Sequence, residues 1–135
     1  MATQKELDNL YMNVAQSHSQ LSKASRLQVG ACLVTTDSVM LGGVNGQPRE
    51  LGNICEQDGA TKLSVVHAEL NCVLKAAREG VSVKGSTMYV THSPCESCAS
   101  MLISAGVRRV VFKDEYRSLQ GIELLLQAGV VVDKF

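Results

Sequence analysis

The first third of the chain changes from a helical to an alternating hydrophobic pattern. Between residues 6 and 22, apolar side chains recur at roughly helical spacing with polar ones between them, which predicts an amphipathic first helix ending near Ser22. Residues 28–35 (QVGACLVT) form a β-rich apolar run, and residues 39–44 resume the pattern after a short polar turn. We therefore predict a helix followed by a β-hairpin.

Residues 45–63 contain several glycines, one proline and many polar side chains without a clear period, which predicts a long loop. Loops of that length in a compact domain are usually functional. Helix and strand patterns then alternate three times, at residues 67–79 and 87–91, 98–105 and 107–112, and 119–128 and 130–132.

These elements predict an α/β fold. Strands joined by a crossover helix pair in parallel, whereas the two strands of a tight hairpin pair antiparallel. We expect a three-layer α/β/α arrangement: a mixed five-stranded sheet with helices on both faces and the last two strands parallel. At 135 residues, the chain is expected to form a single domain over residues 1–135.

Composition narrows the function classes. Thirteen basic and thirteen acidic side chains give zero net charge, so no overall attraction to nucleic acid or to an anionic membrane is expected. No apolar run approaches the ~18 residues of a membrane span, and residues 1–10 are too polar for a signal peptide. These features predict a cytoplasmic protein.

Two short motifs carry the candidate chemistry: His67-Ala68-Glu69 and, later, residues 94–98 (PCESC). Cys95 and Cys98 are spaced to bind one ion, and His67 is a third ligand of the kind that zinc prefers. Three protein ligands leave the fourth position open, as in catalytic zinc sites. A carboxylate such as Glu69 can then move a proton from water to a substrate nitrogen.

The remaining cysteines and histidines carry weaker signals. Cys32 lies in a predicted strand and Cys72 in a predicted helix, so both are expected to be buried small side chains. Cys55 lies in the long loop, and its role is left open. His92 is close enough to the cysteines to line a pocket, whereas His18 lies on a polar helix face and is expected to be solvated.

At this point the chain resembles the cytidine-deaminase superfamily and, within it, the deoxycytidylate deaminases. The resemblance covers nearly the whole chain and is carried by residues 28–34 (QVGACLV), 44–48 (VNGQP), 67–71 (HAELN), 88–98 (MYVTHSPCESC) and 103–112 (ISAGVRRVVF). It implies one Zn²⁺ held by His67, Cys95 and Cys98, with Glu69 as the proton shuttle. The implied reaction is hydrolytic deamination of dCMP to dUMP, which supplies thymidylate synthesis.

The resemblance also implies substrate contacts. Asn45 would contact the deoxyribose, and the backbone of Ala68 and of Ser93-Pro94 would touch the pyrimidine. Tyr116 occupies the place of a tyrosine that these deaminases have shortly after the fourth strand. For the phosphate, the candidates are Lys23 and Arg26 in the basic segment 22–26; an ordinary solvated loop is the other interpretation of that segment.

Assembly and regulation are implied by the same resemblance. Many members form homo-oligomers, with a hexamer as the expected state, and respond to dCTP as activator and dTTP as inhibitor, together with Mg²⁺. Candidate effector or interface residues are Arg49, Glu56, Asn71 and Arg78. The segment 49–66 is shorter than in many members and offers only Cys55 as a soft ligand, so a second zinc ion is not expected.

Two other kinds of function remain open from the sequence. The first keeps the chemistry and changes the substrate to dCTP, free cytidine or deoxycytidine, or a tRNA adenosine. Polynucleotide binding is disfavoured because it requires a basic groove and stacking aromatics, and only 4% of the residues are aromatic. The second is a non-catalytic, zinc-stabilised binding module, which needs a fourth ligand from Cys55, Cys72 or His92 and has no use for Glu69.

Overall fold

A computed structural model describes residues 1–116 and 118–135. The helices are α1 (Gln4–Ser19), α2 (Ala68–Glu79), α3 (Glu96–Ala105) and α4 (Gln120–Gln127), with a short 3-10 helix at Arg49–Leu51. The strands are β1 (Gly30–Val34), β2 (Met40–Val44), β3 (Glu56–Gln57), β4 (Ala60–Thr61), β5 (Thr87–His92), β6 (Arg109–Asp114) and β7 (Val131–Lys134). Every predicted helix and strand is present, with ends shifted by a few residues.

The main sheet has five strands in the order β2-β1-β5-β6-β7. β1 pairs antiparallel with β2 and with β5, whereas β5, β6 and β7 are mutually parallel. The parallel half follows from the crossover helices α3 and α4, because a parallel connection must cross the sheet. The predicted mixed sheet is therefore confirmed.

Two apolar clusters cover the two faces of this sheet. On one face, α2, α3 and α4 contribute Cys72, Leu102 and Leu125 to the larger cluster, while α1 contributes Met12 and Ala15 to the smaller cluster on the other face. Apolar burial on both sides holds the three layers together. Among the described residues, none of the helices is long and apolar enough to span a membrane.

The segment predicted as a long loop, residues 45–63, contains short regular elements. It contains the 3-10 helix and a small hairpin formed by β3 and β4. The connecting residues, Asp58 and Gly59, have φ angles of 54° and 78°. An Asp-Gly pair is a strong hairpin signal because both turn residues need positive φ, so this element could have been predicted.

Two details of α1 also differ from expectation. The helix starts earlier because Thr3 and Glu6 form a capping box with reciprocal hydrogen bonds. His18 was expected to be solvated, but that prediction is wrong, because the side chain is half-buried. A Cβ added to Gly42 would lie only 2.0 Å from the Nε2 atom of His18. The imidazole packs on β2 because glycine at position 42 leaves room for it.

A charged cluster ties α1 to the parallel half of the sheet. Nη1 and Nη2 of Arg109 donate to the Asp8 carboxylate at 2.8 and 2.9 Å, and Nε donates to Asp133 at 2.8 Å. The Tyr89 hydroxyl donates to Asp8 at 2.6 Å. The bond from Arg109 is the largest cause that lowers the pKa of Asp8 from 3.8 to about 2.

We expect this cluster to make stability depend on pH. Asp8 binds a proton less readily in the folded chain, so its contribution is complete above about pH 4 and is lost as the pH falls through about 2. At pH 7, Asp8→Asn should lower the free energy of unfolding by about 2 kcal/mol relative to wild type, and the difference should shrink toward pH 2. Urea unfolding across this range measures it, and a difference that stays constant with pH would contradict the assignment.

Candidate active site

The candidate metal ligands lie at the N-termini of two helices. His67 is the N-cap of α2 and Cys95 is the N-cap of α3, and neither side chain makes a capping hydrogen bond. α3 begins just after the carboxyl end of β5, so the fold brings both helix starts to one edge of the sheet. The partial positive charge of a helix N-terminus favours thiolates, and both side chains remain available as ligands.

His67, Cys95 and Cys98 form one compact group. His67 Nδ1 lies 3.5 Å from Cys95 Sγ and 3.2 Å from Cys98 Sγ, and all three donor atoms lie within 4.8 Å of one another. One nitrogen and two sulfur donors form a ligand set that commonly binds zinc in proteins. The group fits one zinc ion, and among the described residues no fourth side chain joins it.

The two thiols differ in their acidity. Hydrogen bonds from Cys98 and His67 lower the pKa of Cys95 to about 3, whereas donation to Cys95 and burial raise the pKa of Cys98. The Cys95 sulfur also lies 3.4 Å from the Ser97 hydroxyl. Cys95 is therefore held as a thiolate, which is the form that binds metal.

Glu69 lies beside this group on the first turn of α2. Its side chain is buried, with 4% of the residue exposed, and burial raises its pKa to about 7. A carboxyl group with such a pKa exchanges protons easily at neutral pH, which suits general acid–base work.

These groups open into one cavity of about 300 Å³. The metal group contributes His67 and Cys95 to its lining, and Glu69 faces it as well. Six further residues of interest from the sequence also line it: Arg26, Asn45, Ala68, His92, Ser93 and Tyr116. The fold therefore joins segments from across the chain around the predicted catalytic carboxylate.

Two of the residues predicted to contact the substrate, Lys23 and Pro94, lie outside the described lining of the cavity. Lys23 is exposed and outside the described lining of the cavity, and its assignment to the phosphate stays a prediction. Pro94 is fully buried and also outside that lining, whereas its neighbour Ser93 lines the cavity. The Ser93 hydroxyl accepts a 2.7 Å hydrogen bond from the backbone N–H of Tyr116, which fixes two lining residues together.

The two predicted asparagines hold backbone segments. Asn45 accepts from the Val29 N–H at 2.9 Å and donates to the Leu27 carbonyl at 2.8 Å, so it shapes the cavity wall that Leu27 and Val29 form. Asn71 donates to the Val44 carbonyl at 2.7 Å, which joins α2 to the end of β2. This bond gives Asn71 a structural role, and its effector or interface role stays a prediction.

The other candidate effector residues lie outside the cavity lining. Arg49 is exposed on the 3-10 helix, and Arg78 is exposed on α2, 3.5 Å from Glu79. Glu56, on β3, accepts hydrogen bonds from the backbone of the segment that carries Arg26.

The remaining cysteines and His92 supply no fourth metal ligand. Cys32 and Cys72 are buried, as predicted, and Cys55 is buried beside Ala24 and Val65. The Nδ1 of His92 lies 3.0 Å from the Thr91 hydroxyl, and burial lowers its pKa. A non-catalytic, zinc-stabilised binding module would need one of these side chains as the fourth zinc ligand. The geometry of the metal group therefore disfavours that function.

Gly121 was not singled out from the sequence. It is buried on α4, and a Cβ at this position would lie 2.1 Å from the Pro94 carbonyl oxygen and 2.9 Å from the Cys95 backbone. Glycine therefore lets α4 pack directly on the turn that presents Cys95. Only the folded structure shows that these segments meet.

A His/Cys/Cys group beside a buried glutamate, in a cavity of a three-layer α/β/α fold, is typical of zinc-dependent nucleobase deaminases. The sequence profile of the cytidine and deoxycytidylate deaminase zinc-binding region matches residues 5–114. The chain belongs to this family.

Individual relatives extend the match over nearly the full chain. Deoxycytidylate deaminase from Mus musculus is 36% identical, over 96% of this chain and 80% of its own length. The deoxycytidylate deaminase of Mycobacterium phage D29 is 32% identical, over 80% of this chain and 94% of its own length. The crystal structure of dCMP deaminase from cyanophage S-TIM5 in complex with dCMP and dUMP superposes with a TM-score of 0.94 at 39% identity, covering 99% of this chain and 100% of that one.

Proposed function

We propose that this chain is an enzyme that hydrolyses dCMP to dUMP and ammonia. The observation that carries the proposal is one cavity that joins Glu69, the zinc-type group and the cation Arg26. The likeness to deoxycytidylate deaminases, including a structure that holds both dCMP and dUMP, supports the same reaction.

The chemistry follows from the residues around the metal group. Zinc bound by His67, Cys95 and Cys98 would lower the pKa of a water molecule and polarise it. Glu69 would accept a proton from that water and donate it to N3 of the pyrimidine, because its carboxyl is buried within the same cavity. Over the reaction, a C4–oxygen bond forms, the second proton of the water passes to the exocyclic nitrogen, and the bond between C4 and that nitrogen breaks to release ammonia.

Substrate recognition is assigned to the rest of the lining. Asn45, Ala68 and Ser93 line the same cavity as Glu69 and would contact the sugar and base. Arg26 is exposed, and its Nη1 donates to the Thr61 hydroxyl at 3.2 Å. With Tyr116 in the same lining, Arg26 is our candidate for binding the 5′-phosphate.

We also propose an oligomer, with a hexamer as the expected state, regulated by dCTP as activator and dTTP as inhibitor with Mg²⁺. Exposed apolar side chains at Leu51, Ile54 and Leu63 in the segment between β2 and α2 support a subunit or effector surface there. All five cysteines are free. Free thiols fit a reducing compartment, which supports the cytoplasm as the location.

Substrate selectivity tests the proposal. Zinc-loaded protein would be offered dCMP, dCTP, deoxycytidine, cytidine and a tRNA anticodon stem-loop, each with and without dCTP or dTTP as effector, and ammonia release would be followed. Preference for dCMP over deoxycytidine supports the proposed substrate and its phosphate contact. Preference for any other substrate would reassign the specificity and keep the metal chemistry.

A further inference from the structure

The segment that carries Arg26 is held by the small hairpin of β3 and β4. Oε2 of Glu56 on β3 accepts hydrogen bonds from the backbone N–H groups of Ser25 and Arg26, at 3.1 and 3.3 Å. Thr61 on β4 accepts a bond from the guanidinium of Arg26 at 3.2 Å. The two strands of the hairpin therefore fix the backbone and the side chain of the same residue.

An apolar contact joins the same two segments. Ala24, Cys55 and Val65 form a separate buried cluster, with 7%, 1% and 9% of each residue exposed. Ala24 precedes Ser25, and Cys55 precedes Glu56, so the cluster joins the two segments next to the residues that form the hydrogen bonds of Glu56. Apolar packing and the bonds to the Glu56 carboxylate therefore both hold the hairpin against the segment that carries Arg26.

Glu56 is the ionised partner in this arrangement. Burial alone would raise the pKa of Glu56, but the hydrogen bonds from Arg26 and Ser25 outweigh burial and hold the pKa below its ordinary value. Hydrogen bonds from backbone N–H groups to a carboxylate are stronger than those between neutral groups.

From this geometry we infer that Glu56 is a positioning residue for substrate selection: it holds Arg26 at the cavity mouth so that the enzyme distinguishes the nucleoside monophosphate from the nucleoside. This inference rests on the proposed function. Glu56 is outside the described lining of the cavity, so it affects binding of the substrate phosphate only through Arg26.

The test compares two substrates that differ only in the phosphate. Glu56→Ala should raise KM for dCMP by about tenfold, as expected for the loss of charge-assisted positioning, with kcat little changed. The value of kcat/KM for deoxycytidine should change by less than about twofold, because that substrate makes no phosphate contact. Glu56→Gln keeps an acceptor oxygen and should restore part of the loss.

Three further variants complete the design. Glu123→Ala removes the same charge from an exposed position on α4 and should leave both substrates unaffected. Arg26→Ala should lose selectivity for dCMP, and adding Glu56→Ala to it should cause little further loss, because both changes act through one contact.

The outcomes separate the inference from the proposed function. A wild-type enzyme that turns over dCMP and deoxycytidine equally would overturn the phosphate contact itself. A selective wild type whose Glu56→Ala variant stays selective, or loses both substrates equally, would overturn the inference alone. Additive losses in the double variant would also overturn it, since Glu56 would then act independently of Arg26.

Discussion

Glu69→Gln is expected to lower kcat for dCMP by about 10³-fold or more while zinc stays bound, because general acid–base catalysis by one side chain contributes factors of this size. Glutamine has nearly the same shape as glutamate and cannot carry a proton from water to the pyrimidine. Glu69 is also absent from the group of metal-ligating atoms among the described residues. Steady-state kinetics and zinc content, measured on the same preparation, check both parts.

A matched control lies on the neighbouring helix. Glu96 is exposed in the first turn of α3, next to Cys95, and Glu96→Gln removes the same charge near the metal group. It should change kcat by less than about threefold, because a solvated surface charge has little effect. Loss of zinc from Glu69→Gln would show that Glu69 is a ligand, and near-normal turnover would show that another group moves the proton.

Cys98→Ala is expected to abolish both zinc binding and turnover of dCMP. Cys98 is buried, with 3% of the residue exposed, and its sulfur is one of the three candidate ligand atoms. With two ligands left, the group no longer meets the coordination that zinc requires in proteins. Because metal binding stabilises only the folded chain, the variant should also have a lower Tm than the zinc-loaded wild type.

Cys72→Ala is the control for this substitution. Cys72 is a buried thiol on α2 that lies outside the metal group, so its removal should lower the Tm through lost packing and leave the zinc content unchanged. Elemental analysis and thermal unfolding separate the two effects. A Cys98→Ala variant that retains zinc and turnover would contradict the assigned ligand set.

The sequence was most informative where local pattern and chemistry coincide. α2 has apolar positions at helical spacing, a glycine stop at Gly80 and metal-type residues at its start, so its position and its role could both be predicted. The parallel order of β5, β6 and β7 followed from the helices between them. The metal group itself was predictable because the spacing of Cys95 and Cys98 limits how far apart their sulfur atoms can lie.

Other features depend on contacts between distant segments. Neither the burial of His18 against Gly42 nor the packing of Gly121 on Pro94 has a local signal, because each requires two elements to meet across the fold. The same holds for the bonds from Ser25 and Arg26 to Glu56, which join residues about thirty positions apart. Lys23 and Arg26 share one basic segment, and only the structure shows which of them lines the cavity.

The most direct test of the central claim is product analysis after zinc-loaded protein is incubated with dCMP. Chromatographic separation of the nucleotides and an ammonia assay on the same samples measure both products of the proposed hydrolysis. We predict dUMP and ammonia in equal amounts. The Glu69→Gln variant should form both products at least about 10³-fold more slowly. Protein that binds one zinc ion per chain and forms no dUMP from dCMP would contradict the account.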